Sequence, residues 1–342
     1  MVTERGLQVL RAIVQDYVET REPVGSRSIV DRYSFGVSAA TIRNDMALLE
    51  DEELITAPHT SSGRVPTDKG YRVFVNHLAQ LRPLSVAQRT AIESFLADPV
   101  DLDDLMARTV RVLTQLTGQV ALAQYPSFAR AHLSHLELVA LATNRVLVVL
   151  VTDRGGVSQR VTQLPVEIDE AEVAVLRARL STLITGSAVS EAAERLQALL
   201  DDETVTDAAL RTVSSIVIDE LSEFRQERLV MAGAATLARR GEDFRGSIHP
   251  LLEAIEEQVT LLRLMSEMEA DAHGLSASIG TENASFGLDE ASIVASDYAA
   301  PGGTARVGVM GPTRMDYPSN LAAARAVARY LSRMLDEDEA SR

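Results

Sequence analysis

The chain has 342 residues, 46% hydrophobic and 24% charged, with a net charge of −16; this composition excludes a wholly disordered chain and suits two or three folded domains. The absence of cysteine excludes disulfides, thiolate nucleophiles, iron–sulfur clusters and cysteine zinc sites. The longest apolar run, 146–151, is far shorter than the roughly 20 residues of a membrane-spanning helix, and Met1-Val2-Thr3-Glu4-Arg5 lacks the apolar stretch of an export signal, so a cytoplasmic protein without membrane contact is expected.

The N-terminal part differs from the rest in charge. Residues 1–82 carry ten cations and eleven acids, a net of −1, while the remainder carries −15. Phosphate attraction depends on the local face rather than the total, so this part can own a basic face if its acids sit behind it. Residues 3–19 predict an amphipathic helix, with Leu7, Leu10, Ile13, Tyr17 and Val18 in helical period. Pro23 and Gly25 break it, and Ser26 is a candidate N-cap for a short helix. Ser38 is the next N-cap, opening a helix over 39–53. Ile42, Met46 and Leu49 form its core stripe, and Thr41, Arg43, Asn44 and Ala47 fall outside that stripe. Two short extended runs, 54–56 and 64–66, flank the polar tip His59-Thr60-Ser61-Ser62-Gly63 and predict a hairpin. Thr67 can cap a further helix. This order is that of a winged helix-turn-helix.

A linker starts at Arg82-Pro83, followed by helices near 85–97 and 102–115. Strands are expected at 120–124, 136–142, 146–152 and 157–163, then a helical block over 169–226. A strand at 229–232, a helix over 249–268, strands at 277–280, 291–296 and 305–310, and a closing helix over 318–335 complete the chain. A helical block between strands reads as an insertion into an α+β domain, because structureless loops that long are uncommon.

As a recognition helix, residues 39–53 would place Arg43 for bidentate donation to guanine and Asn44 for pairing with adenine. Ser38 and Thr41 hydroxyls suit phosphates or base edges. His59, Ser61 and Arg64 of the hairpin, with Lys69 and Arg72 just after it, are candidate backbone contacts, and the capped helix start at Thr67 can hold a phosphate. His132 and His135 could share a metal on a helix but point apart on a strand; with no third ligand nearby, no metal, cofactor or enzymatic activity is expected.

Three segments carry a closer resemblance: Ser38-Ala39-Ala40-Thr41-Ile42-Arg43-Asn44-Asp45-Met46; Pro58 to Thr67 with Lys69-Gly70-Tyr71-Arg72; and, distantly, Ile279-Gly280-Thr281-Glu282-Asn283 with residues 307–317. Together they resemble the HrcA family of bacterial heat-inducible transcription repressors. Glu53 departs from the pattern, standing where the family often has a glycine. The resemblance implies a winged-helix DNA-binding domain (1–82), a GAF-like α+β domain in two parts (83–168 and 246–342) and a mainly helical inserted dimerisation domain (169–245). It also implies a homodimer on an inverted-repeat double-stranded operator, CIRCE, upstream of chaperone operons, and activity dependent on the GroEL chaperonin. The alternative is a ligand-responsive regulator whose GAF-like domain senses a small metabolite in a pocket lined by 120–124 and 136–152.

Overall fold

The computed structural model describes residues 2–59, 62–78, 83–127, 131–224, 228–239, 242, 244, 248–300 and 303–340. The chain divides into two compact units. The first comprises Met1–Ala123, Leu229–Asp297 and Arg306–Tyr330, the second Gln124–Arg228, Tyr298–Ala305 and Leu331–Arg342. No described helix is long and apolar enough to cross a membrane.

The first unit begins with α1 (Glu4–Thr20), capped by the Thr3 hydroxyl, which accepts from the Gly6 amide, and burying Val9, Leu10, Ile13 and Val14. Next is α2 (Ser26–Arg32). Its N-cap is Gly25, not the expected Ser26, and no side chain caps it. Helix α3 (Ala39–Asp51) is capped by Ser38, whose Oγ accepts from the Thr41 amide 3.2 Å away. It is followed by β1 (Ile55–Thr56) and β2 (Val65–Pro66), paired antiparallel. Val24 adds an antiparallel bridge to Arg64. Then come α4 (Asp68–Asn76), capped by Thr67 as expected, α5 (Val86–Leu96) with a Ser85–Gln88 capping box, α6 (Leu102–Thr117) and β3 (Val120–Gln124). Helix α3 ends two residues short of expectation because Glu53 adopts φ 60° and turns the chain into the hairpin.

The second unit holds β4 (Leu133–Ala142), β5 (Arg145–Thr152), β6 (Val157–Gln163), α7 (Glu170–Ile184), α8 (Val189–Asp201) and α9 (Ala208–Glu223). The strands form an antiparallel sheet in chain order. Leu136, Leu138, Val146, Val148 and Leu150 share one core with Val173, Leu180, Leu196, Leu210, Val217 and Leu221 of the three helices.

The chain then returns to the first unit with β7 (Leu229–Ala232), α10 (Ala234–Arg239), α11 (His249–Glu257), α12 (Val259–Glu267) and β8 (Leu275–Ile279), followed by a 3-10 turn at Gly280–Phe286. The helix expected over 249–268 is two helices, divided at Gln258, which has φ 51°. Strands β9 (Ala291–Ala300) and β10 (Gly303–Pro312) and helix α13 (Tyr317–Ala340) complete the order. Among the described residues the sheet runs β7-β3-β10-β9-β8. Its core packs Val120, Leu122, Ile293 and Met310 with Leu251, Leu261, Leu264 and Met265. Residues 120–123 are buried at every position, the mark of a strand covered on both faces.

The four strands expected at 120–163 therefore do not stay together. Only β3 pairs with a C-terminal strand, Val307 opposite Ala123 and Met310 opposite Val120. Strands β4, β5 and β6 make their own sheet instead, because their alternate residues are buried by α7, α8 and α9 rather than by the helices around β3.

Candidate nucleic-acid interface

Helix α3 is built to show one face. Ile42, Met46 and Leu49 are buried, which turns Arg43, Asn44 and Ala47 outward and exposed. Ser38 and Thr41 meet at the amino end, their hydroxyl oxygens 3.1 Å apart. Among the described residues, neither the Arg43 guanidinium nor the Asn44 amide bonds a partner. A bidentate guanidinium and amide one residue apart match the major-groove edges of guanine and adenine.

Behind this face the acids are neutralised. Asp45, one residue past Asn44, is buried and accepts from Arg5 Nε at 2.7 Å and Nη2 at 3.0 Å. That pair fastens α3 to α1 and raises the Arg5 pKa, chiefly through the hydrogen bond. Asp16 is likewise buried. It accepts from Tyr33 Oη at 2.9 Å and lies 3.2 Å from Arg32 Nη1, fixing the end of α2 to α1. Sequence reasoning misses both pairs. Their only signal is an acid interrupting an otherwise apolar or basic stretch.

The hairpin cations are less free. Arg64 donates from Nε to Glu50 Oε2 at 2.9 Å and from Nη1 to the Ser62 carbonyl at 3.2 Å. Lys69 Nζ donates to the Glu52 carbonyl at 2.8 Å and lies 3.6 Å from Glu53 Oε2. His59 is exposed at the tip, where its amide donates to Ser62 Oγ and its carbonyl accepts from the same hydroxyl. Ser61 lies outside the described residues.

Arg72 does not belong with this group. Its guanidinium grips both carboxylate oxygens of Glu282, from Nε at 2.7 Å, and donates to the Ala277 carbonyl at 2.7 Å. It sits on the face of α4 that packs on β8, where its partners are internal ones. At the α4 start the two polar side chains are engaged within the chain. The Thr67 hydroxyl donates to the Glu53 carbonyl while accepting from the Gly70 amide, and Asp68 accepts from the Thr281 amide. Gly70 lies so close to the hairpin that a Cβ there would stand 2.0 Å from the Leu54 carbonyl oxygen.

In the second unit, His132 lies 3.3 Å from Asp153 and His135 3.3 Å from Glu137. Each imidazole thus faces its own carboxylate.

Comparison with known proteins follows this geometry. The sequence profile described as HrcA protein C terminal domain matches residues 103–320. A protein named heat-inducible transcription repressor HrcA from Clavibacter michiganensis subsp. michiganensis is 62% identical over 98% of this chain and 100% of its own length. The protein of that name from Leifsonia xyli subsp. xyli is 60% identical over the same shares. Among solved structures, one at 2.2 Å resolution of a protein described as hypothetical superposes with a TM-score of 0.68. It is 23% identical and aligns over 98% of this chain and 99% of its own, a likeness of fold.

Proposed function

The chain belongs to the HrcA family of heat-inducible transcription repressors, and from that premise we propose that it represses chaperone operons by binding an inverted-repeat CIRCE operator as a homodimer. The observation that carries this reading is the capped α3, with Arg43 and Asn44 exposed and bonded to no described residue. Ser38, Thr41, His59, Arg64 and Lys69 are the supporting contacts, Arg64 and Lys69 being shared with their carboxylate neighbours. Footprinting of the purified protein on a chaperone promoter tests it. Protection of both arms of an inverted repeat without added cofactor is expected, and no protection above that of scrambled DNA refutes it.

The homodimer reading is supported by the second unit. On the face of its sheet away from the helices, Val139, Leu147, Val149, Val151, Val157 and Val161 stand among the polar His135, Glu137, Gln159 and Gln163. Of these, Val139, Val157 and Val161 are 42–60% exposed, exposed valines of the kind that mark an association surface. We therefore place the dimerisation unit at 124–228 rather than at 169–245, inserted between the two GAF-like parts. Val161→Asp is expected to yield monomers by light scattering; an unchanged dimer mass refutes this placement. Chaperonin dependence is supported by the long-range pairing of β3 with β10, since such pairings form late and leave edges open meanwhile. Refolding with and without chaperonin and ATP, scored by operator binding, tests that point: equal recovery refutes it.

A further inference from the structure

The sequence segments around α4 and after β8 lie 213 residues apart, yet they meet along one seam of the first unit. Asp68 Oδ2 accepts from the Thr281 amide at 2.9 Å. Gly280, beside it, has φ 52°, and a Cβ there would stand 2.4 Å from that same carboxylate oxygen; no other residue fits the approach. Glu282, which takes both hydrogen bonds from Arg72, also accepts from the Ile279 amide at 2.9 Å. Its carboxylate thus caps its own turn while it meets Arg72. Between these polar contacts the Tyr71 ring packs at 5.5 Å from the Tyr317 ring. Tyr317 is anchored in turn by Ser292 and the Thr313 carbonyl. Farther along, the Arg314 guanidinium lies 5.8 Å from the centre of the Tyr17 ring of α1.

We propose that Arg72, with Asp68 and Glu282, is a positioning element for operator binding: a clamp that fixes the winged helix on the five-stranded sheet and so sets the direction in which α3 is offered. The proposal rests on the operator reading above. The seam is where α4 meets β8 and the turn after it, so without it the winged helix loses these holds on the sheet. A dimer that reads two half-sites needs its recognition helices at a fixed separation of one helical turn of DNA or a multiple. A looser hold that lets each recognition helix wander lowers the effective concentration of the second for its half-site, while leaving the first contact intact. The clamp therefore acts on the pairing of two contacts and not on either contact alone. Arg72 reaches no base or phosphate in this role. It works through Glu282, whose carboxylate is occupied by Arg72 and by its own turn.

The test uses the full chain and three duplexes: the inverted repeat, a single half-repeat and a scrambled sequence. The variants are Arg72→Ala, Glu282→Ala, their double, and the gentler Glu282→Gln. Each single variant is expected to lose about tenfold or more on the inverted repeat and less than about twofold on the half-repeat, with the salt dependence unchanged. The double is expected to lose less than the sum of the two single variants, because they share the Arg72–Glu282 contact although each also has a partner of its own, the Ala277 carbonyl for Arg72 and the Ile279 amide for Glu282. Retained half-repeat binding reports that the winged helix is folded; where Arg72→Ala fails that check, Glu282→Gln decides. A loss confined to Arg72→Ala, equal on all three duplexes and with a salt slope flatter by about one, overturns the proposal and returns Arg72 to the phosphate contacts. Variants that match the parent on the inverted repeat overturn the clamp alone. A parent chain with no preference for the inverted repeat overturns the operator reading and the clamp's part in it.

Discussion

Replacing Glu53 with glycine should stabilise the winged helix. Glu53 closes α3 with φ 60°. Its amide donates to the Glu50 carbonyl, and the next amide, Leu54, donates to Leu49, both at 2.9 Å. This is the Schellman pattern, whose left-handed position is usually glycine. A side chain held there costs roughly 1–2 kcal/mol, and the extra freedom of glycine in the unfolded chain returns about 0.4–1 of it, leaving a gain of about 0.5–1 kcal/mol. The substitution also removes the ion pair of Glu53 with Lys69, but that pair is 3.6 Å long and joins two exposed side chains, so its removal subtracts little. For a cooperative unit of about 200 residues the gain corresponds to a rise of about 1–4 °C in Tm. Thermal unfolding followed by circular dichroism measures it, with Glu53→Ala as the control that removes the carboxylate and keeps the strained backbone. A rise for glycine and none for alanine is expected. Equal rises would trace the effect to charge, and a fall for glycine would refute the backbone argument altogether.

Arg43→Ala and Asn44→Ala should each weaken operator binding by about 1–3 kcal/mol and leave scrambled DNA almost unaffected; gel shifts on both duplexes decide, and equal losses would make these residues backbone contacts. Arg64 is paired with Glu50, so on the proposed phosphate contact Glu50→Gln should raise affinity on every sequence, and Arg64→Ala should flatten the salt slope by less than about one unit; no effect of Glu50→Gln would mean that Arg64 faces away from the duplex. The Tyr33 hydroxyl is pushed up from 10.0 to about 12, mainly by burial and then by its bond to Asp16. Folding therefore holds its proton more tightly, and this stabilisation is complete below pH about 10 and is lost as pH rises toward about 12. Tyr33→Phe should flatten that part of the Tm–pH profile, and an unchanged profile would place the alkaline loss elsewhere.

Where local chemistry decides the backbone, the sequence is a sound guide. Ser38 and Thr67 cap their helices as their position before an apolar stripe indicates, and the polar tip between short extended runs does form a hairpin. Arg43 and Asn44 face outward because Ile42, Met46 and Leu49 must face in. Strand β5 shows where this reasoning fails. Its residues Val146–Val151 are apolar on both faces, so period two is invisible, although burial strictly alternates along the strand. An apolar outer face looks like a doubly covered strand, and on sequence alone β5 falls into one group with β3. The roles of Arg72 and Asp68 are hidden for a different reason. A cation after a hairpin reads as a phosphate ligand until its partner is known, and Glu282 lies 210 residues away. Asp45 and Asp16 are obscured in the same way, since a single acid on a helix gives no sign of which arginine will cover it.

The 213 residues between Asp68 and Thr281 also set an order of events during synthesis. A ribosome adding roughly 5–20 residues per second makes Thr281 about 10–40 s after Asp68. Throughout that interval the emerging chain has every side chain of the α3 face but no Gly280, Glu282 or Tyr317 for α4 to rest against. The nascent protein therefore passes through a stage in which the reading head is complete and its mounting has yet to be translated. Truncated products that end before residue 275 would be left in that stage permanently, with the α3 face formed and no β8 turn for α4 to rest against.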